Sequence, residues 1–103
     1  SSGIQVDGRR TTLSGNTVLA NGHEGILVSA PGGRVTHNEV RDNGSSGIRL
    51  FADVGDTVIA HNTSLGNDRR DLGAWDLEDG TPGCSTNRWR ANDFATANEP
   101  CVE

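Results

Sequence analysis

The sequence predicts an all-β solenoid of about four coils, each of about 22 residues. A short apolar motif follows a repeated glycine, a second motif carries two asparagines, and no apolar stretch has helical spacing long enough for a helix. Motifs that recur at a fixed interval of roughly 20 to 50 residues are typical of solenoids. We therefore expect one domain over 1–103, with regular coils in 1–74 and a final coil in 75–103.

The glycine motif predicts the first strand of each coil. It occurs at 3–6, 25–28 and 47–50, and a weaker copy lies at 71–74. Because side chains alternate along a strand, the first and third apolar residues of each copy should point inward. The predicted columns are Ile4, Ile26, Ile48 and Leu72, and beside them Val6, Val28 and Leu50.

The asparagine motif predicts the second and third strands. It reads apolar-x-x-Asn-x-apolar-x-x-Asn at 13–21, 35–43 and 59–67, and a partial copy at 89–97 has Ala97 in place of the closing asparagine. We expect the asparagines to stack as ladders in left-handed bends, with the repeated glycines supplying positive φ. The predicted columns are Leu13, Val35, Ile59 and Trp89, and then Val18, Val40 and Phe94. The extra length of the later coils is expected after Leu50 and after Ala74.

The chain also starts inside a repeat, because residues 1–4 copy residues 45–48. This predicts that it is the C-terminal part of a longer solenoid. The edge of its first coil should then be covered by upstream coils or by another chain, since open strand edges seek partners.

The amino-acid composition argues against two classes of partner, nucleic acid and the membrane interior. The formal net charge is −5, the sequence has no lysine, and its arginines are scattered among acids. Nucleic acid is therefore not expected as a partner, because phosphate binding needs clustered positive charge. No apolar run reaches the length of a membrane span.

Cys84 and Cys101 are the only cysteines. They lack the paired spacing of a zinc site, which favours a disulfide over metal binding. In the loop-entropy model, a closure of this length contributes about 3 kcal/mol to stability. A disulfide in turn indicates an oxidising compartment, so we expect a secreted or extracellular protein.

These repeats resemble the right-handed parallel β-helix of the pectin-lyase-like superfamily. The resemblance rests on the asparagine motifs, the Gly-Ile strands and the segment 84–101, which looks like the last coil of secreted members. The superfamily includes lyases, hydrolases, epimerases, adhesins and structural modules, so the resemblance implies a fold more than an activity. In its polysaccharide-active members, the outer face of the first strands and the adjoining loops usually form the substrate groove.

On that face, Arg49 is a candidate partner for a sugar carboxylate, Phe51 a candidate apolar platform and Asp7 a candidate acceptor. An acidic polysaccharide is the substrate class that these residues suggest. With neither lysine nor tyrosine in the chain, Arg49 is also the one obvious candidate for the catalytic base of a lyase or epimerase. A solvated surface without function is the competing interpretation.

Two further groups are weaker metal candidates. His37 and His61 each precede a ladder asparagine and should lie one coil apart, but no third ligand accompanies them. No cofactor is indicated, although calcium is possible at acids in the expanded loops; solvated turns are the default interpretation of these acids. They are Asp53 and Asp56 in one loop and Asp76, Glu78 and Asp79 in the other.

Two functions remain open at this point. The chain is expected to be the C-terminal structural or carbohydrate-contacting portion of a secreted β-helix protein. Alternatively, its coils form part of the substrate groove of a polysaccharide lyase or epimerase that acts on acidic polysaccharide.

Overall fold

The computed structural model describes residues 2–103, which form twelve short strands in three parallel sheets. The repeat that begins at Ser1 therefore starts outside the described residues. Sheet A contains β1 (Ile4–Val6), β4 (Ile26–Val28), β7 (Ile48–Leu50) and β10 (Leu77–Asp79). Sheet B contains β2 (Thr12–Ser14), β5 (Arg34–Thr36), β8 (Val58–Ala60) and β11 (Arg88–Arg90). Sheet C contains β3 (Thr17–Leu19), β6 (Glu39–Arg41), β9 (Thr63–Leu65) and β12 (Asp93–Phe94).

Each coil contributes one strand to every sheet, so the all-β solenoid of four coils is confirmed. The described residues include one 3-10 turn, Pro82–Cys84, and no α-helix. It follows that no helix in residues 2–103 is long and apolar enough to cross a membrane.

The core consists of apolar columns that run along the axis through the coils. Ile26, Ile48, Val40 and Ile59 are all 0% exposed, because each lies between equivalent residues of the coils on either side. Parallel strands lie roughly 4.8 Å apart, which brings stacked side chains into contact. The columns predicted from the repeats are therefore confirmed for the first three coils.

In the fourth coil, the predicted member of the first column is wrong. Leu77, not Leu72, pairs with Ile48, and Leu72 is 55% exposed. Asp71 and Gly73 have φ of 55° and 75°, a left-handed conformation that a strand does not accommodate. Part of the extra length thus precedes the strand: Leu77 follows Asn67 by ten positions where Ile48 follows Asn43 by five, and Ala74 lies within this inserted loop, not before it. The rest follows the strand, because Trp89 follows Asp79 by ten positions where Val35 follows Val28 by seven.

Two side-chain ladders join the coils at the bends. In the first, Asn16, Asn38, Asn62 and Asn92 follow one another at separations of 22, 24 and 30 residues. The Nδ2 group of each asparagine donates to Oδ1 of the next at 3.0 Å, and the backbone N–H donates to the same oxygen. The second ladder runs through Asn21, Asn43 and Asn67 and ends on Asp76.

The left-handed backbone lies one residue before each asparagine of the first ladder. His37, His61 and Ala91 have φ between 55° and 57°. The expectation that the ladder asparagines and the repeated glycines adopt positive φ is wrong, because the residues before the asparagines do so instead. A Cβ atom added at Gly25 would lie 2.8 Å from Nδ2 of Asn43, so glycine is needed there for close approach.

A disulfide between Cys84 and Cys101 fastens the last coil, with Cα atoms 6.2 Å apart. Cys84 and Val102 are 2% and 3% exposed and belong to the core. The segment 96–98 runs beside β10, so that the tail covers this end of the solenoid. At the opposite end, β1, β2 and β3 are the edge strands of their sheets. That upstream coils or another chain cover these strands remains a prediction.

Candidate ligand-binding face

The outer face of sheet A carries the candidate site. The central residues of its four strands, Gln5, Leu27, Arg49 and Glu78, stack in register. The residues on either side of them in each strand point inward, so these four point outward. The column therefore brings a guanidinium and a carboxylate from neighbouring coils side by side.

Arg49 lies between two carboxylates. Its Nη1 donates to Oε2 of Glu24 at 3.1 Å, and its Nε lies 3.5 Å from Oε2 of Glu78. Glu24 belongs to the preceding coil and Glu78 to the following one. One arginine thus links three coils, and the three side chains together carry a formal charge of −1.

The carboxylate of Glu24 is held in its ionised form. Burial alone raises its pKa, but a hydrogen bond from its own backbone and hydrogen bonds from Arg49 and Ser2 lower it, as does the charge of Arg49. The net effect is a pKa below the ordinary value. Ser2 Oγ donates to Oε1 of this carboxylate at 3.2 Å, and the Glu24 side chain is 13% exposed.

Glu78 is fixed from the other side by a buried hydroxyl. Ser46 is 0% exposed, and its Oγ donates to Oε1 of Glu78. The Glu78 side chain is 18% exposed, so its second oxygen faces Arg49 at the surface of the sheet. Ser46 therefore sets the position of this carboxylate relative to the guanidinium.

The structure brings two of the three predicted binding residues together. The guanidinium of Arg49 lies 5.2 Å from the centroid of the Phe51 ring, a cation–π contact, and Phe51 is 36% exposed. Asp7 lies two coils from Phe51 and accepts hydrogen bonds from Ser29 Oγ at 2.6 Å and Gln5 Nε2 at 3.0 Å. The bonds from Ser29 and Gln5 lower the pKa of Asp7.

Sequence reasoning missed Glu24 and Ser46, and it placed Glu78 among the acids of an expanded loop. Glu24 and Ser46 directly precede the repeated glycines of their coils, so the repeat itself places them in one column beside Arg49. That signal was available. Glu78 was not accessible in this way, because the misplaced Leu72 column assigned it to a loop.

The pairing of Arg49 bears on the chemistry of this face. An arginine guanidinium has five donor hydrogens and no acceptor and stays protonated in proteins, which opposes its action as a general base. The neighbouring carboxylates are strong acceptors for ligand hydroxyl groups. The arrangement is therefore better suited to binding than to proton abstraction by Arg49.

His37 and His61 stack at the bend between sheets B and C. Their ring centroids are 5.3 Å apart, the planes differ by 14°, and both residues are exposed. Histidine is among the residues that adopt left-handed backbone more readily, which gives a structural reason for its presence here. Within residues 2–103, no three His, Cys, Asp or Glu side chains are placed to hold a metal ion.

The acids of the last loop are not solvated turns. Asp76 is 4% exposed and accepts from Asn67 Nδ2, Ala95 N and Thr96 N. Asp79 is 1% exposed, and its Oδ2 accepts from the Trp89 indole at 2.8 Å. Both carboxylates are buried away from solvent and already have protein donors, so they do not fit a calcium site. Asp53 and Asp56 are exposed, as expected of solvated turns.

Comparison with known proteins agrees with this architecture. Residues 1–103 match the family described as right handed beta helix region. Neither the curated proteins nor the solved structures provide a match. The match spans the whole chain, and the three parallel sheets have the geometry that such a family requires. The chain therefore belongs to the right-handed β-helix family.

Proposed function

We propose that the outer face of sheet A is a carbohydrate-contacting surface of a secreted right-handed β-helix protein. The observation that carries the proposal is Arg49, held between the carboxylates of Glu24 and Glu78 beside the exposed ring of Phe51. Carboxylates accept hydrogen bonds from sugar hydroxyls, and a guanidinium donates to sugar oxygens. An aromatic ring offers an apolar surface for the C–H face of a sugar ring.

The charge of the site favours a neutral, hydroxyl-rich polymer. The cluster of Glu24, Arg49 and Glu78 has a formal charge of −1, and the chain as a whole has −5. An anionic polymer meets repulsion on such a surface unless it meets free positive charge. A substrate carboxylate would have to compete with two glutamates for the charge of Arg49.

Secretion is the second part of the proposal, and the disulfide supports it. Cys84 and Cys101 are joined, and a structural disulfide persists in oxidising compartments. The residues of the sheet A face would then meet extracellular polysaccharides.

Calorimetric titration tests the surface. Soluble galactan, xylan and polygalacturonate are titrated into the wild type and into Phe51→Ala. We expect binding to a neutral polymer that Phe51→Ala weakens by about threefold to tenfold, the value of one aromatic contact. Leu19→Ala is the matched control, because Leu19 is an exposed apolar residue on sheet C, at 52% exposure, and should not affect binding.

The same titration distinguishes a carbohydrate-contacting surface from the substrate groove of a lyase. Equal affinity of the wild type and Phe51→Ala for every polymer would contradict the carbohydrate face on sheet A. If polygalacturonate is bound best, and absorbance of an unsaturated product appears and is lost in Arg49→Ala, the face is instead part of the groove of a lyase.

A further inference from the structure

We propose that the bend between β3 and β4 is a site of covalent modification, at which water slowly converts Asn21 to aspartate or isoaspartate. The chain contains two Asn-Gly pairs, Asn21-Gly22 and Asn43-Gly44, at equivalent places in the first and second coils. Asparagine followed by glycine favours this reaction, because glycine has no side chain to hinder attack by its backbone nitrogen. The fold holds the second pair in place and leaves the first pair open. The proposal does not rest on the function proposed for sheet A.

The reaction needs only water as a second reactant. The backbone nitrogen of Gly22 loses its proton and attacks Cγ of Asn21, which forms a new C–N bond. The side-chain nitrogen takes up a proton and leaves as ammonia, which completes a succinimide ring. Water then opens the ring at one of its two carbonyl groups: cleavage at Cγ gives aspartate, and cleavage at the backbone carbonyl gives isoaspartate. The net change replaces an amide by a carboxylate, so the bend gains a negative charge.

The Asn43-Gly44 pair is held by burial and by hydrogen bonds. Asn43 is 0% exposed, and its Nδ2 donates to Oδ1 of Asn67 at 2.9 Å. Its Oδ1 accepts from the backbone and side-chain nitrogens of Asn21 at 2.9 and 3.0 Å. The attacking nitrogen of this pair, that of Gly44, donates to the Asn21 carbonyl at 2.8 Å. Each group that must move for the ring to close is therefore already bound.

The space around the two glycines differs as well. A Cβ atom added at Gly44 would collide with the carbonyl of Gly22, so the Asn43-Gly44 peptide is packed tightly against the first coil. A Cβ atom added at Gly22 would have no atom within 4 Å. Gly44 is buried, whereas Gly22 is exposed. The Asn21-Gly22 peptide thus has room to rotate, and water can reach it.

Asn21 has fewer hydrogen bonds than Asn43. Its Nδ2 donates to Oδ1 of Asn43 at 3.0 Å and to the carbonyl of Leu19 at 3.3 Å, but no donor within residues 2–103 reaches its own Oδ1. Arg70 donates to the carbonyl of Gly22, whose nitrogen has no acceptor in the part of the chain that the structure describes. Fewer bonds must break before the ring can close, so local opening is easier here. We expect Asn21 to react at least roughly tenfold faster than Asn43, about the effect of one additional hydrogen bond.

The modification would weaken the outermost step of the second asparagine ladder. The Asn21 amide donates to Oδ1 of Asn43, whereas a carboxylate has acceptors only. The aspartate product therefore places two acceptors opposite each other. The isoaspartate product instead lengthens the main chain between β3 and β4 by one methylene. Either product loosens the attachment of the first coil to the second.

Peptide mapping during prolonged incubation tests the site. The folded wild type is kept in mildly basic buffer and digested at intervals, and mass spectrometry follows the replacement of the side-chain amide by a carboxyl group at each asparagine. We expect product at Asn21 well before product at Asn43. The same incubation in guanidinium chloride is the control for sequence, because both Asn-Gly pairs are then free of the fold and should react at similar rates. In the folded protein, a rate at Asn43 that equals or exceeds the rate at Asn21 would overturn the proposal, as would the absence of product at Asn21.

Gly22→Val tests the attacking residue. Gly22 has open space around it and does not adopt positive φ, so valine is accommodated. Its branched side chain should hinder the attack and slow the reaction at Asn21 by roughly tenfold or more. His23→Val, at the next and equally exposed position, is the matched control and should leave the rate unchanged. Equal rates at Asn21 in Gly22→Val and the wild type would contradict attack by the Gly22 nitrogen.

Asn21→Asp tests the structural consequence, because it has the same chemical structure as the aspartate product. We expect a lower midpoint in urea unfolding than that of the wild type, since the donor to Asn43 is lost. A midpoint equal to that of the wild type would show that the modification does not loosen the first coil.

Discussion

The first three coils and the last coil use different side chains at one place, the second asparagine ladder. Between the regular coils, an asparagine in one coil bonds an asparagine in the next. At the last coil, Asp76 takes the place of the asparagine and accepts from Asn67, and its second oxygen accepts from the backbone of Ala95 and Thr96. A carboxylate has two acceptor oxygens where an amide has one. The end of the solenoid needs the second because the tail turns back across it.

The interior columns also differ between the first three coils and the last coil. The column that runs through Val6, Val28 and Leu50 continues with Asp79 in the last coil. This buried carboxylate accepts hydrogen bonds from the Trp89 indole and from the backbone of Thr81. A buried acid is thus accommodated where hydrogen-bond donors surround it. The following predictions test whether those donors are what make a buried acid compatible with a stable fold.

The largest effect is expected from an acid placed in a regular column. Val40 is 0% exposed and pairs with Val18 and Ser64, so the carboxylate of Val40→Asp would have no charged partner or backbone donors like those of Asp79. Such a group costs several kcal/mol, which is comparable with the entire stability of a small domain. We expect loss of the β spectrum in circular dichroism. Leu19→Asp, at an exposed position on the same sheet, should retain it.

Loss of the disulfide should weaken the last coil next. The bond closes a separation of 17 residues, and the loop-entropy model gives about 3 kcal/mol for such a closure. Cys84→Ala/Cys101→Ala should lower the free energy of unfolding in urea by about that amount. Reduction of the wild type should have a similar effect, and an unchanged urea midpoint in both would contradict a stabilising role.

The regular coils could be predicted from the sequence because the same residues recur in the same places. Asn16, Asn38 and Asn62 lie at nearly constant intervals, so the ladder follows from spacing alone. Asp76 could not be found in this way. It follows Asn67 by only nine residues and replaces an amide by a carboxylate, so neither period nor residue type pointed to it.

The residues of the candidate site also differ in whether the sequence could predict them. Arg49 and Phe51 lie on a strand that the repeat identifies, and the structure places them in contact. Their partner Glu78 depends on the register of the fourth coil, which the copy at 71–74 misplaced. A loop can contain the same four-residue motif as a strand, as residues 71–74 do, and the motif does not reveal that its backbone angles are those of a loop.

The role of Asp79 can be tested by making the last coil resemble the others. Asp79→Leu restores an apolar residue to the column but leaves the Trp89 indole and the backbone N–H of Thr81 without this acceptor. An unsatisfied buried donor costs about 1–3 kcal/mol, and we expect a loss of at least that size in urea unfolding. Asp79→Leu/Trp89→Phe removes the indole donor as well and should recover part of the loss. A double variant no more stable than Asp79→Leu alone would show that the hydrogen bond is not what retains the acid.

The smallest effect should come from an acid at the surface of the regular coils, and it should depend on pH. The pKa of Glu24 is lowered in the folded protein from an ordinary value of 4.5, despite burial, by its own backbone hydrogen bond and by Arg49 and Ser2. A lowered pKa means that the ionised carboxylate stabilises the folded state at pH values above 4.5. That stability is lost as the pH falls through the folded pKa. Because the pair with Arg49 is partly exposed, the contribution should stay below about 1 kcal/mol.

Urea unfolding of the wild type and Glu24→Gln should therefore differ near neutral pH and converge in acid. Glu39→Gln, in the more exposed pair with Arg41, should show a smaller difference from the wild type. A gap between the wild type and Glu24→Gln that widens as the pH falls would contradict the assigned direction of the shift.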